Sequence, residues 1–127
     1  MEHDGTENSR FWTLFRRLRS RHGRRKTGLS LCEGRRCCIE LLHQRAEWVE
    51  SILTTSGFAQ SDEFEAFQEL AASSGARMTR VREHELKQVA CTENPQGVIV
   101  AFRPHVTPVA NAEDVAVIDP FVLICDR

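Results

Sequence analysis

The chain has 127 residues, of which 41% are hydrophobic and 28% charged, which is typical of one globular domain with a buried core. The formal net charge of −1 conceals three blocks: residues 1–9 carry three acidic and no Lys or Arg residues, residues 10–45 carry eleven basic and two acidic, and residues 46–127 carry six basic and thirteen acidic. A basic stretch on an acidic body indicates a surface for a polyanion, and the sequence contains no apolar run that fits a secretory signal or a membrane span.

The cysteines and histidines argue against several kinds of site. Five cysteines without a C-x-x-C pair or a signal sequence favour reduced thiols and a cytoplasmic location over a disulfide framework. The histidines lack ligand spacing, so we expect no metal. Gly23 and Gly28 have the spacing of a phosphate-binding loop, but Leu29 stands where such a loop needs lysine. We therefore expect no catalytic group within this chain.

The N-terminal part predicts a tail and a basic helix. Residues 1–8 are expected to be disordered, and Ser9 is a candidate cap for an amphipathic helix that ends near Gly23. Phe11, Phe15 and Leu18 fall on one side of this helix, with arginines around the remainder. The apolar side chains dock the helix on the domain, or they bind a membrane surface or a partner, and the arginines contact solvent or nucleic acid. The sequence leaves these alternatives open.

The stretch from Arg24 to Arg36 predicts a basic loop, a short strand and a turn before a helix. Leu29 and Leu31 alternate with polar residues, and apolar residues take helical spacing after Gly34. The first turn of a helix exposes unpaired N–H groups and the positive end of the helix dipole. This stretch is therefore a candidate anion-binding site.

Further along the chain, helical and strand patterns alternate. They predict a helix at 35–46, a strand at 48–53, a loop at 54–60, a helix that Ser61 caps and Gly75 ends, a strand at 76–81, a helix at 83–91 and a strand at 97–102. Phe64 and Phe67 are expected in the core. The alternation predicts an α/β fold, a small three-layer α/β/α sandwich with helices on both faces of a mostly parallel sheet, preceded by the basic helix.

The C-terminal part predicts a domain boundary. Prolines and acidic residues make residues 104–120 a linker, which leaves residues 9–103 as the folded domain. Residues 121–125 form a continuous apolar run of the kind found in a strand buried on both faces. We expect residues 121–127 to be the truncated first strand of an absent second domain.

Three motifs together resemble the N-terminal half of a SpoU-type (TrmH-like) RNA ribose 2′-O-methyltransferase. They are RRKTGLSLCEG at 24–34, TENPQGVIVA at 92–101 and VLICDR at 122–127, and the resemblance covers about residues 10 to 127. It implies a fold like that of ribosomal proteins that bind kink-turn RNA, and a role in holding tRNA or rRNA for a catalytic domain.

The same resemblance implies a division of labour within a parent protein. In this family the S-adenosylmethionine-binding loops, the catalytic arginine and the knot are expected beyond Arg127. We therefore expect no cofactor and no methyl transfer in this chain, and S-adenosylmethionine in a homodimeric parent. RNA binding is the one activity carried over.

The predicted RNA contacts lie in, or directly after, the two motifs within the folded domain. Basic side chains and a helix N-terminus would meet phosphates, and a turn would add hydrogen bonds to sugar or base. The predicted contacts are Arg24, Arg25, Lys26, Gly34, Arg35, Arg36, Asn94 and Gln96. For Asn94 and Gln96, a purely structural role in a tight turn is a stronger interpretation than RNA contact. Glu33 is expected to fix a turn or to pair with an arginine.

The expected partner is structured RNA, not DNA and not a membrane. The alternative is a membrane-surface or protein-partner module that acts through helix 9–22.

Overall fold

The computed structural model describes residues 12–105 of the chain. The predictions for the tail, for Ser9 and Phe11, for nearly all of the linker and for the strand at 121–127 lie outside these residues.

Helices and strands alternate along the described chain. Residues 12–17 are helical (α1), and then follow α2 (Arg21–Thr27), β1 (Ser30–Glu33), α3 (Arg35–Arg45), a 3-10 turn (Ala46–Trp48), β2 (Val49–Thr54), α4 (Ser56–Ala59), α5 (Phe64–Ser74), β3 (Arg77–Arg80), α6 (Glu83–Val89) and β4 (Val98–Phe102). The order predicted from residue 35 onward is confirmed, except that the predicted loop at 54–60 contains α4, which Thr55 caps through a bond from the Phe58 N–H. None of the helices within residues 12–105 is long and apolar enough to cross a membrane.

The four strands form one mixed sheet in the order β1-β4-β2-β3. Strand β4 is antiparallel to both of its neighbours, and only β2 and β3 are parallel. The prediction of a mostly parallel sheet is therefore wrong. The chain enters β4 beside the end of β1, where Glu33 pairs with Ile99, so β4 must run back along β1. All five residues of β4 are buried, because helices cover both faces of this central strand.

Helices on both faces of the sheet give the predicted three layers. Helices α3 and α5 cover one face, where the core contains Cys38, Leu41, Leu42, Trp48, Val49, Ile52, Phe58, Phe67, Ala71, Val98, Val100 and Phe102. Helices α1 and α6 cover the other face, where the core contains Phe15, Leu18, Leu29, Leu53, Val81, Leu86, Val89, Ala90, Ile99 and Ala101. Phe15 and Leu18 are fully buried, so the first helix docks on the domain.

A corner at Ser20 divides the predicted N-terminal helix. The Ser20 hydroxyl accepts a hydrogen bond from the Gly23 N–H (3.0 Å) and starts α2. A Cβ on Gly23 would overlap the Arg17 carbonyl oxygen, so only glycine permits this close approach. The helix therefore does not end near Gly23. The predicted basic loop is also wrong, because Arg24, Arg25 and Lys26 form the last turn of α2.

The start of α5 differs from the prediction, and its end agrees with it. Ser61 does not cap the helix: its hydroxyl donates to the Phe58 carbonyl oxygen (2.7 Å), and Glu63 occupies the N-cap position. Gly75 ends the helix in the left-handed conformation, as predicted. Phe67 is fully buried and Phe64 packs against the same core, which confirms both as core residues.

Candidate nucleic-acid interface

The N-terminus of α3 and the turn before β4 meet at one end of the sheet. Gly34 precedes α3 with φ 97° and has no side chain to cap the helix. Instead, the Arg35 N–H donates to Gln96 Oε1 and Arg35 Nε donates to the Gln96 carbonyl oxygen, both at 3.0 Å. These bonds join residues that lie 61 positions apart. We call Gly34, Arg35, Arg36, Asn94 and Gln96 the turn cluster.

The Arg35 side chain is held in place by two further groups. Its Nη1 forms an ion pair with Glu63 Oε1 at 3.2 Å, and its guanidinium lies over the Phe58 ring, 5.2 Å from the centroid. One third of the side chain remains exposed. Arg35 is therefore a fixed positive charge at the surface, in contrast to Arg36, whose exposed side chain makes no hydrogen bond or ion pair with another described residue.

Glu33 fixes the turn that carries Asn94 and Gln96. Its carboxylate accepts hydrogen bonds from the N–H of Cys91 (2.6 Å), the N–H of Thr92 (3.0 Å) and the Thr92 hydroxyl (2.6 Å). The Asn94 side-chain oxygen then accepts from the Gln96 N–H (3.2 Å). The prediction that Glu33 fixes a turn is confirmed. The turn lies at Cys91 and Thr92, far from Glu33 in the sequence.

Backbone geometry at the end of this turn requires glycine. Gln96 and Gly97 both have positive φ, 60° and 83°. A Cβ on Gly97 would lie 2.7 Å from Thr55 Oγ1 and 2.9 Å from Phe58 Cβ. Gly97 therefore allows the turn to lie directly on the start of α4.

The other predicted basic residues lie near the opposite end of β1. Strand β1 has four residues, which separates its ends by about 10 Å. Arg24, Arg25 and Lys26, the helix cluster, are close to its first residue, at the end of α2. The structure therefore does not bring the predicted contacts into a single site.

The three members of the helix cluster have different roles. Arg24 Nη1 donates to the carbonyl oxygens of Leu18 (3.0 Å) and Arg19 (3.1 Å), so this guanidinium holds the corner after α1. Arg25 and Lys26 are exposed, and neither bonds to another side chain within the described part of the chain.

Arg103 is a residue of this region that the sequence analysis does not identify. Its Nε pairs with Glu50 Oε2 (2.9 Å), and its Nη1 donates to the Thr27 carbonyl oxygen (2.8 Å), which closes the end of α2. A Cβ on Gly28 would lie 2.6 Å from that Nη1. The signal available in the sequence is Gly28, which follows α2. A helix end without a capping side chain leaves unpaired carbonyl oxygens, which attract a nearby cation.

The thiols differ in environment and belong to no metal centre within residues 12–105. Burial raises the pKa of Cys38 well above its ordinary value, whereas a hydrogen bond from Cys38 lowers the pKa of Cys32. Cys91 is exposed, but partial desolvation of its thiol and the Glu33 carboxylate raise its pKa. Cys37 is exposed and Cys38 is buried, because neighbouring residues on a helix point in different directions.

Comparison with known proteins identifies relatives of this fold. A family model described as RNA 2′-O ribose methyltransferase substrate binding matches residues 31–108. The chain is similar to an RNA 2′-O ribose methyltransferase of known structure, with TM-score 0.56 and 28% identity over 76% of this chain and 36% of that one.

Two further solved structures share the fold at lower identity. An AdoMet-bound rRNA methyltransferase from Sinorhizobium meliloti has TM-score 0.65 and 19% identity over 85% of this chain and 38% of that one. The SpoU methyltransferase AviRb from Streptomyces viridochromogenes, in complex with the cofactor AdoMet, has TM-score 0.51 and 19% identity over 82% of this chain and 37% of that one. The chain thus spans a little over a third of the length of these proteins, and no curated protein sequence matches it.

Proposed function

Because the chain belongs to the family of SpoU-type RNA 2′-O ribose methyltransferase substrate-binding domains, we propose that it holds a structured RNA, either tRNA or rRNA, for a parent enzyme that methylates a ribose 2′-hydroxyl. The observation that carries this proposal is the assembly of the turn cluster. Two sequence motifs form one surface there, because Gln96 caps the helix that begins at Arg35.

The turn cluster offers hydrogen-bond donors suited to RNA. The side-chain amide nitrogens of Asn94 and Gln96 make no hydrogen bond with described residues, while their oxygens are used internally. Donors of this kind bind phosphate oxygens, sugar oxygens and base acceptors. Arg35 and Arg36 add positive charge, and the 2′-hydroxyls of an RNA supply the features that DNA lacks.

The helix cluster supports the same proposal through charge. Arg25 and Lys26 are exposed and contact phosphates as mobile cations. Arg24 acts as a positioning residue, because its guanidinium is committed to the corner after α1.

The chemistry of methyl transfer is assigned to the parent protein. Related methyltransferases bind AdoMet, which supplies the methyl group, and we assign that cofactor to the parent. No residue of this chain is assigned to it. We also assign RNA binding to residues 9–103, and a homodimeric, cytoplasmic state to the parent.

The alternative of a membrane-surface or partner module is not favoured. Phe15 and Leu18 lie on the apolar side of the predicted helix, which would have to enter a bilayer or a partner groove, and both are fully buried in the core.

RNA-binding measurements on the full chain test the proposal. We expect transcribed tRNA or a ribosomal RNA hairpin to bind more tightly than DNA of the same sequence, with affinity falling steeply as salt rises. Arg25→Gln with Lys26→Gln should make the slope of log K against log [salt] less negative by about 1.4–1.8, at about 0.7–0.9 per lost contact. Arg36→Gln with Asn94→Ala should also weaken binding.

Lys87→Gln, an exposed charge outside both clusters, is the matched control. Binding that is independent of salt, or cluster variants that behave like the control, would contradict the proposal.

A further inference from the structure

The outward surface of α1 and α2 is strongly cationic. Between residues 12 and 27 the chain has seven basic residues and no acidic one: Arg16, Arg17, Arg19, Arg21, Arg24, Arg25 and Lys26. The apolar residues Phe15 and Leu18 face the core, so the arginines of α1 are left at the surface. The predicted contacts in α2 account for only part of this charge.

An open groove lies between the end of α1 and the end of α6. Arg16, Arg19, Ser20, Gln88 and Cys91 line it, and none of these residues is acidic. Arg19 Nη1 donates to the Gln88 carbonyl oxygen at 3.0 Å, which fixes one guanidinium across the groove. Arg16 lies 5.9 Å from the centroid of the Trp12 ring. These contacts orient the two guanidinium groups and use only one of their N–H groups in a hydrogen bond, so the others can bind a ligand.

The groove is connected to the turn cluster through the chain itself. Cys91, at one side of the groove, is held by the Glu33 carboxylate, and the segment from Cys91 leads to Asn94 and Gln96. The six residues from Cys91 to Gln96 span at most about 20 Å. Successive nucleotides of one strand are roughly 3.4 Å apart, so an RNA strand bound at the turn cluster reaches the groove within about six nucleotides.

We propose that this groove is a second phosphate-binding surface for the same RNA, with Arg16 and Arg19 as the contacting residues; the inference rests on the proposed function. Arginine suits this task because its planar fork binds a phosphate through two parallel hydrogen bonds. A lipid surface fits less well, because Phe15 and Leu18 are fully buried, while Trp12 and Leu14 are partly buried against the same core.

Substitution of both groove arginines is the first test. Arg16→Gln with Arg19→Gln should make the salt slope for a transcribed tRNA or ribosomal RNA hairpin less negative by about 1.4–1.8 and weaken binding about 20-fold near 0.15 M salt. Arg17→Gln, which removes an exposed charge of the same helix that does not line the groove, is the matched control and should change affinity about two-fold or less.

Arg16→Gln alone guards against a folding artefact, because the Arg16 side chain makes no hydrogen bond with a described residue. It should weaken binding about four- to five-fold.

Protection of Cys91 is an independent test on the unaltered protein. N-ethylmaleimide modification of Cys91, followed by peptide mass spectrometry, should slow several-fold when the RNA is bound. An unchanged rate at saturating RNA would overturn the inference.

The possible outcomes separate the two proposals. If turn-cluster and helix-cluster variants weaken RNA binding while Arg16→Gln with Arg19→Gln equals the control, the groove inference alone fails. If the unaltered chain binds neither RNA, the proposed function fails and the inference with it. If the double variant loses binding to phosphatidylserine vesicles but keeps its RNA affinity, the groove binds lipid and the inference is overturned.

Discussion

Replacement of Glu33 by alanine would remove the anchor of the turn that carries Asn94 and Gln96. The carboxylate accepts three hydrogen bonds from Cys91 and Thr92, which lie 58 and 59 positions further along the chain. Glu33→Ala deletes all three bonds and leaves two backbone N–H groups to water. The substitution leaves the positive charges of the turn cluster in place.

The expected loss of stability follows from these bonds. A hydrogen bond to a charged group contributes about 1.5–3 kcal/mol, but Glu33 is partly exposed, so water replaces part of that energy. We expect Glu33→Ala to lower the free energy of unfolding by about 2–3 kcal/mol in total, and Tm by about 8–20 °C. Thr92→Val removes only the hydroxyl bond and should cost about 1 kcal/mol.

Urea denaturation followed by tryptophan fluorescence measures both variants and their combination. Thr92→Val should cost close to nothing in the Glu33→Ala background, because its partner is already absent. An equal cost of Thr92→Val in both backgrounds would refute the assigned hydrogen bond. The RNA affinity of Glu33→Ala separates two opposing effects. Loss of a negative charge alone would strengthen binding to a polyanion, whereas a loosened turn would weaken it. We expect weaker binding.

Two other predictions concern the same turn. Gly97→Ala should lower the free energy of unfolding by more than about 2 kcal/mol, since it adds a steric clash to the cost of positive φ. Gly75 also has positive φ (77°) but open space around it, so Gly75→Ala should cost only about 1 kcal/mol. Equal costs for the two variants in thermal melts would contradict the close approach at Gly97. Partial desolvation and the Glu33 carboxylate raise the pKa of Cys91, so its alkylation below that pKa should be slower than that of free cysteine. Glu33→Gln should therefore shift the curve of alkylation rate against pH to lower pH. Superimposable curves for the variant and the unaltered protein would contradict this.

The predicted site shows where local reasoning from sequence is insufficient. Asn94 and Gln96 were predicted as RNA contacts or as ordinary turn residues, and the structure shows that Gln96 also caps α3 from 61 positions away. Arg24 was predicted as a phosphate contact, but its guanidinium binds two carbonyl oxygens at the corner after α1. A charged side chain looks alike in sequence whether it faces solvent or closes a helix end.

The sequence by itself determined most helices and strands, because apolar periodicity and capping residues act within a few positions of each other. Periodicity was enough to place Phe67 in the core and Gly75 at a helix end. Strand order and direction were decided only by the tertiary structure, since β4 enters the sheet between β1 and β2 from a turn that Glu33 fixes across the fold. The division of the basic residues into two clusters and a groove has the same origin: sequence shows how much charge there is, and only packing shows where it lies.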